Sequence, residues 1–422
     1  MKKVLILSPW FPPCNDVGSR RVGCFAKYLP RYGWQPLVIT KRWTPENCCY
    51  DLDFVKGLSR DCVVAEVEDN EHLATGYQLL KRKFQCACAP HRHPQRWTAS
   101  VADLLPRVLA EHRVDAVWAT APTPGPLFVA GLCRSRYGLS WVADFRDVLG
   151  QQGEPRGLLN RFRYRMALSG ELTVLASASV ITTVSAGLAE ILRRRHSQRV
   201  DVITNGFDPE AMAGRNSQAT GKFTIAYAGN APRNFNLRPF FAGVARLIAA
   251  GVIDASTIRL DFYGEGDPKY LDGHLAGYPY RSTVRRFPRV PHADLMSALG
   301  QATVLLQPAE PGSKGLLSGK IFDYLAAQRP VLVVPSDHDC LDTLVSETGA
   351  GRSCSTADEV AHAVHEWYEE WRSRGTVAHA ARRASVMRFS HHTLAGQLAQ
   401  VLDEVSSRSN RDPAAPSKCV AT

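Results

Sequence analysis

GKIFDYLAAQRPVLVVP, residues 319–335, joins a helix directly to a strand. Lys320 and Asp323 stand three apart and so share one face of that helix. Pro330 has no amide to continue it, so the chain turns there, and VLVVP reads as a short buried strand. A cation at the helix start can reach a phosphate. A carboxylate one turn on can accept hydrogen bonds from two adjacent hydroxyls, as on a ribose. Phosphate and ribose side by side describe a nucleotide; the alternative is an i,i+3 salt bridge on a helix surface.

The same strand-and-helix alternation runs through the chain on both sides of this segment. KVLILS is a strand, a helix follows through RVGCFAKYLPRYG, and WQPLVITK is the next strand. That βαβ unit implies a parallel sheet. VDAVWATAP, SWVADFRDV and ASVITTVS are further strands, AGLAEILRRR is a helix, and VDVITNGFD closes the first half at an Asn-Gly turn. The pattern restarts with the strand KFTIAYAGNA, the amphipathic helix NLRPFFAGVARLIAAG, the strand TIRLDFYGEGD, the helix ADLMSALGQA and the strand TVLLQP. ADEVAHAVHEWYEEWRSR and HHTLAGQLAQVLDEVSSR are late helices. The expected organisation is an N-terminal Rossmann-like domain over 1–205, a second over 206–385, a C-terminal helix over 386–408 and a Pro/Ala/Ser-rich, disordered tail over 409–422. Two doubly wound domains facing one another leave a cleft, and ligands of such sheets bind beyond the carboxyl ends of the strands.

Polar clusters fall at those ends. NDVGSRR places Gly18 between a strand and a helix, where backbone amides can cradle a phosphate, or simply make a tight turn. Gly18 and Gly23 are wrongly spaced for a dinucleotide-binding fingerprint. ADFRDVLG ends an apolar strand in Asp144, Arg146 and Asp147, which suit hydroxyl binding and orientation or else a self-satisfied salt bridge. YAGNAPRNFNLR offers Gly229 after a strand, with Arg233 and Arg238 near the next helix start, a pattern suited to a diphosphate. FYGEGD offers Gly264 and Gly266 for close approach of a flat ring.

The 422 residues carry 51 Lys+Arg against 40 Asp+Glu, a formal charge of +11. Residues 1–200 hold 28 basic and 17 acidic side chains, residues 201–422 hold 23 of each, so the whole excess lies in the first half. Such a surface attracts polyanions or anionic lipid, or is an ordinary solvated face. No zinc-finger, helix-turn-helix or RNA-binding signature accompanies it, so nucleic acid is not expected as a partner. The apolar run after Met1 is too short for a signal peptide or a span, which predicts a cytoplasmic protein, with peripheral contact at the inner face of the membrane as one use of the basic excess. The 11 cysteines are then read as reduced thiols. Cys86, Cys88, His91 and His93 in CACAPHRHP lack two separated ligand pairs and read as a surface loop rather than a metal site.

Taken together, the segments resemble the GT-B glycosyltransferases, and among them the retaining family 4 group. The resemblance covers nearly the whole chain. It rests on SPWFPPCNDVGSRRVGCFAKYLPRYGWQPLVIT, ATAPTPGP, WVADFRD, ITTVSAGLAE, VITNGFD and, most specifically, GKIFDYLAAQRPVLVV. It implies two Rossmann-like domains around a central cleft, with a C-terminal helix crossing back to the N-terminal domain. It implies a nucleotide-sugar donor, no cofactor and no obligatory metal, so DLD at Asp51–Asp53 is read as a chance match to a metal-binding pattern. By resemblance Gly18 approaches the donor, Arg233 or Arg238 holds the diphosphate together with Lys320, and Asp323 stands where the family has a ribose-binding glutamate. The family's earlier glutamate would fall at Gly315; Glu310, in the preceding loop, is the available substitute. Asp144 and Asp147 would orient substrate, and retention follows from the family alone. The acceptor would be a glycan, a lipid-linked glycan or a small molecule. A nucleotide-sugar 2-epimerase of the same fold and a non-catalytic sugar-nucleotide binding protein are the alternatives.

Overall fold

In the computed structural model the described residues are 1–409, except 49, 53–54, 56, 69–95, 122–123, 152–154, 213–220, 230–234, 265–267, 311 and 313. Arg233, Gly266, Asp53 and the Cys86–His93 cluster therefore lie outside the described residues. The chain divides into two compact units, Met1–Thr204 together with the chain from His391, and Asn205–Ser390.

Unit 1 is built on β1 (Lys2–Leu7), α1 (Val17–Tyr28), β2 (Trp34–Lys41), β3 (Val63–Val67), α2 (Arg96–Glu111), β4 (Ala116–Ala121), α3 (Gly125–Tyr137), β5 (Trp141–Phe145), α4 (Leu158–Leu175), β6 (Val180–Thr183), α5 (Ala186–Arg195) and β7 (Val200–Val202). The strands pair in parallel in the order β3-β2-β1-β4-β5-β6-β7. Parallel strands are covered on both faces, which is why VLIL, and WVA ahead of Asp144, are continuously apolar rather than alternating. Successive residues point to opposite sides. Leu5, Leu7, Val117 and Ala143 enter one core, and Val4, Ile6, Trp118 and Val142 the other. The last helix of the described chain covers that second face, packing Leu394, Leu398, Leu402 and Val405 against it along one stripe.

Unit 2 contains β8 (Phe223–Ala228), α6 (Arg238–Ala249), β9 (Ile258–Tyr263), α7 (Pro268–His274), β10 (Val284–Phe287), α8 (His292–Gln301), β11 (Val304–Gln307), α9 (Gly319–Ala327), β12 (Val331–Val333), α10 (Cys340–Thr348), β13 (Gly351–Ser353), α11 (Ala357–Arg374) and α12 (Arg383–Met387). The sheet is again parallel, in the order β10-β9-β8-β11-β12-β13. The chain from Gly319 behaves as expected. α9 stops at Ala327, Gln328 takes a left-handed conformation at φ 55°, and the chain passes Pro330 into β12. Two doubly wound units match the expected fold class. In each, strand order reverses once, at β1/β4 and at β8/β11, and ligand sites of such sheets form where the loops diverge from that point.

Candidate functional site

In unit 2 the loops leaving β8 and β11 meet the start of α9. A pocket there is lined by Phe235 from the first loop, Gln307, Pro308, Ala309 and Glu310 from the second, Leu316, Ser318 and Lys320 around the helix start, and Asp337 and Leu341 beyond β12. Ser318 occupies the N-cap position of α9, yet its hydroxyl caps no amide. Among the described residues Ser318 Oγ and Gln307 Oε1 are buried without a hydrogen-bond partner. Buried polar atoms of this kind call for a ligand or water.

Lys320 supplies the charge. Its ammonium donates to Tyr227 Oη at 3.0 Å and lies 5.0 Å from the centre of that ring and 6.0 Å from that of Phe235. It has no carboxylate partner among the described residues. Removal from water without a counter-charge lowers its pKa to about 8. A desolvated ammonium without a counter-charge at an uncapped helix start is chemically suited to an anion. The alternative of a Lys320–Asp323 salt bridge is not realised.

The glycines make room for that ammonium. Gly229 sits at φ 120°, and a Cβ there would lie 2.4 Å from both Cε and Nζ of Lys320. Gly264, at φ 155°, has its α-carbon against the Gly229 backbone, where a Cβ would meet the carbonyl oxygen at 2.6 Å. Both loops must close on one another before the lysine can lie across them, and glycine alone permits it. Tyr324, from the next turn of α9, anchors the same corner by accepting from the Ala228 amide at 2.9 Å.

The structure thus brings Gly229, Gly264 and Lys320 together. Asp323, one turn further along α9, does not line this pocket: its Oδ1 lies 3.2 Å from His292 Nε2 at the start of α8. Arg238 opens α6 as an exposed side chain, with its own amide donating to Asn236 Oδ1 at 3.3 Å. Gly315 takes φ 74° and donates its amide to Asp339, while Glu310 faces the pocket that holds Lys320. Sequence reasoning missed Tyr227, Phe235, Ser318 and Gln307. Ser318 had a usable signal as an N-cap serine directly before Gly319–Lys320.

Unit 1 corrects one expectation. Asp144 is fully buried and both its oxygens are occupied. Oδ1 accepts from Arg21 Nη2 at 2.8 Å and Thr182 Oγ1 at 2.8 Å; Oδ2 accepts from Arg21 Nε at 3.1 Å and Thr120 Oγ1 at 2.9 Å. Thr120, Asp144 and Thr182 stand side by side across β4, β5 and β6. Arg21 also donates to the carbonyls of Ile203 and Thr204. With no oxygen left for a substrate hydroxyl, Asp144 is a structural anchor binding α1 to three strands. Arg146 lies over Gly18, where a Cβ would approach Nη1 to 2.9 Å, so the close approach this glycine permits is that of a guanidinium. Burial pushes the Arg146 pKa down, against the pull of Asp144. Asp147 is exposed beside them.

Residues 19–206 match the glycosyl transferase 4-like domain family, and residues 246–403 match a glycosyl transferase-like family. No curated protein matches the chain in sequence. Among solved structures, HepE from Anabaena in complex with UDP superposes with a TM-score of 0.64 at 14% identity, over 96% of this chain and all of that one (100%). Sucrose-phosphate synthase from Thermosynechococcus elongatus gives 0.65 at 16% identity, over 97% and 100%. A glycosyltransferase from Rickettsia africae gives 0.65 at 14%, over 96% and 98%. At such identities the likeness concerns the fold.

Proposed function

We propose that this chain, which belongs to the glycosyl transferases through a 4-like domain over residues 19–206 and a glycosyl transferase-like domain over residues 246–403, moves a sugar from a nucleoside-diphosphate sugar to an acceptor hydroxyl. The observation that carries this reading is Lys320: an ammonium without a carboxylate partner among the described residues, at an uncapped helix start, beside the unpartnered Ser318 Oγ and Gln307 Oε1. HepE has been solved with UDP-glucose as well as with UDP, which makes uridine nucleotides the first donors to try.

In this reading the bond from the anomeric carbon to the diphosphate oxygen breaks and the diphosphate leaves with the electron pair. Lys320, the amides opening α9, and Arg238 stabilise the negative charge that grows on it, each contact contributing about 2–4 kcal/mol in the transition state. These cations belong to the chain, so no metal is obligatory. The acceptor oxygen bonds the anomeric carbon on the face the diphosphate leaves, its proton passing to the departing phosphate, and configuration is retained. Asp323, oriented by His292, holds the ribose hydroxyls. Glu310 supplies toward the sugar the carboxylate that Gly315 lacks. Arg146 and Asp147 serve the acceptor side. A hexosyl donor and a polysaccharide or lipid-linked acceptor fit the reading.

The test is a thermal-shift series with UDP, GDP, ADP and their sugar conjugates, because a ligand bound only by the folded state raises stability by mass action. One diphosphate and its sugar conjugate should stabilise the wild type and leave Lys320→Ala unmoved. Stabilisation of neither protein by any nucleotide would remove the donor-site assignment.

A further inference from the structure

Among the described residues, helix α4, LLNRFRYRMALSGELTVL, carries the most exposed large apolar side chains of any helix or strand. Leu158 is 87% exposed, Leu159 61% and Phe162 57%. Single exposed leucines are ordinary, but these share a face. At 3.6 residues per turn, Leu158, Phe162, Met166 and Leu159 fall within about 100° of arc. Arg161 and Arg165 border this stripe on one side and Arg163 on the other, all three exposed. The opposite side of the helix holds the unit: Tyr164 Oη accepts from Arg195 at 3.2 Å, Glu171 lies 3.5 Å from His196, and Leu175 is buried.

The charge on this segment has one sign. From Pro155 to Gly170 the sequence contains Arg156, Arg161, Arg163 and Arg165 and no carboxylate. None of the four is ion-paired among the described residues. The one acidic residue of the helix, Glu171, is turned toward His196.

We propose that this face of α4 docks unit 1 onto an anionic lipid surface. Leucine and phenylalanine would enter the headgroup boundary, while arginines on both borders reach outward to the phosphates. Charge complementarity selects this occupant. A second copy of the chain, meeting the same patch across a two-fold axis, would set three arginines against three, whereas an anionic bilayer offers the opposite sign. No described helix is long and apolar enough to cross a membrane, so α4 lies in the plane of the interface. The inference rests on α4 alone and not on the donor-site reading.

The test is co-sedimentation of the full chain with phosphatidylcholine vesicles containing or lacking phosphatidylglycerol. Wild type should bind the anionic vesicles, release as salt is raised, and ignore the neutral ones. Leu158→Ser/Leu159→Ser/Phe162→Ser should abolish binding. Arg161→Gln/Arg163→Gln/Arg165→Gln should weaken it about a hundredfold, from roughly fivefold per arginine. Both variants should keep the wild-type thermal midpoint and nucleotide response, because every substituted side chain is exposed. Absence of wild-type binding, equal binding to neutral vesicles, or wild-type binding by the variants would overturn the assignment. A dimer seen by sedimentation velocity and lost in the serine variant would give the face to a second copy and overturn it equally.

Discussion

Replacing Lys320 by methionine should stabilise the unliganded protein while removing its hold on a diphosphate. The ammonium titrates near 8 rather than at its ordinary 10.5. At about 1.4 kcal/mol per pH unit, the charge costs the folded state about 3 kcal/mol at neutral pH. Methionine has a similar length and no charge, and loses the hydrogen bond to Tyr227, worth about 1 kcal/mol. The net gain is about 2 kcal/mol at pH 7. Its pH dependence identifies the cause. Below pH 8 the lysine is protonated in both folded and unfolded chains, so the cost is fully present. Between 8 and 10.5 the folded lysine is neutral while the unfolded one is still charged, so wild-type stability climbs with pH. The advantage of Lys320→Met should therefore shrink across that window and vanish or reverse by pH 10.5. Urea denaturation of both proteins at pH 7 and pH 10, with hydrogen exchange over residues 319–327 reporting on unit 2, measures this. A variant less stable than wild type at pH 7, or a difference that does not change with pH, would refute the reasoning.

Gly264→Ala should cost about 2 kcal/mol or more in a urea midpoint, since its Cβ would meet backbone at 2.6 Å with φ at 155°. Asp144→Ala should destabilise by about 3–5 kcal/mol, because it leaves the Arg21 guanidinium buried without its counter-charge; a variant of normal stability with lost turnover would return Asp144 to a substrate role. Asp323→Ala should weaken binding of a nucleoside diphosphate about tenfold in calorimetry while leaving inorganic pyrophosphate unaffected, which separates a ribose contact from a general loss of the pocket. Sugar transfer should survive a metal chelator unchanged.

How far the sequence could be read follows from which contacts are local. Buried parallel strands such as VLIL and FTIAYA announce themselves as apolar runs, and the order of helix, Pro330 and VLV in the chain from Gly319 is local chemistry. Helix α4 escaped because its apolar stripe faces solvent while Tyr164 and Glu171 face the protein, the reverse of a core-facing pattern. Strand β3 escaped because Val63 and Val64 are more than a third exposed at the sheet edge, and β13 because Gly-Arg-Ser carries no strand preference. Asp144 was legible as a polar residue at a strand end, but its partner Arg21 is 123 positions away, so nothing nearby distinguished an anchor from a substrate ligand. Lys320 was found from its place at a helix start. That it would be desolvated against Tyr227, 93 positions earlier, was beyond any spacing argument.

Calorimetric titration of UDP, GDP and ADP into wild type and Lys320→Ala is the most direct trial of a sugar-nucleotide site at the start of α9. One nucleotide should bind wild type with a stoichiometry of about one, and the variant should lose about a hundredfold in affinity, the scale of one charge-assisted contact to phosphate. Equal affinity in the two proteins, or no binding by wild type, would contradict it.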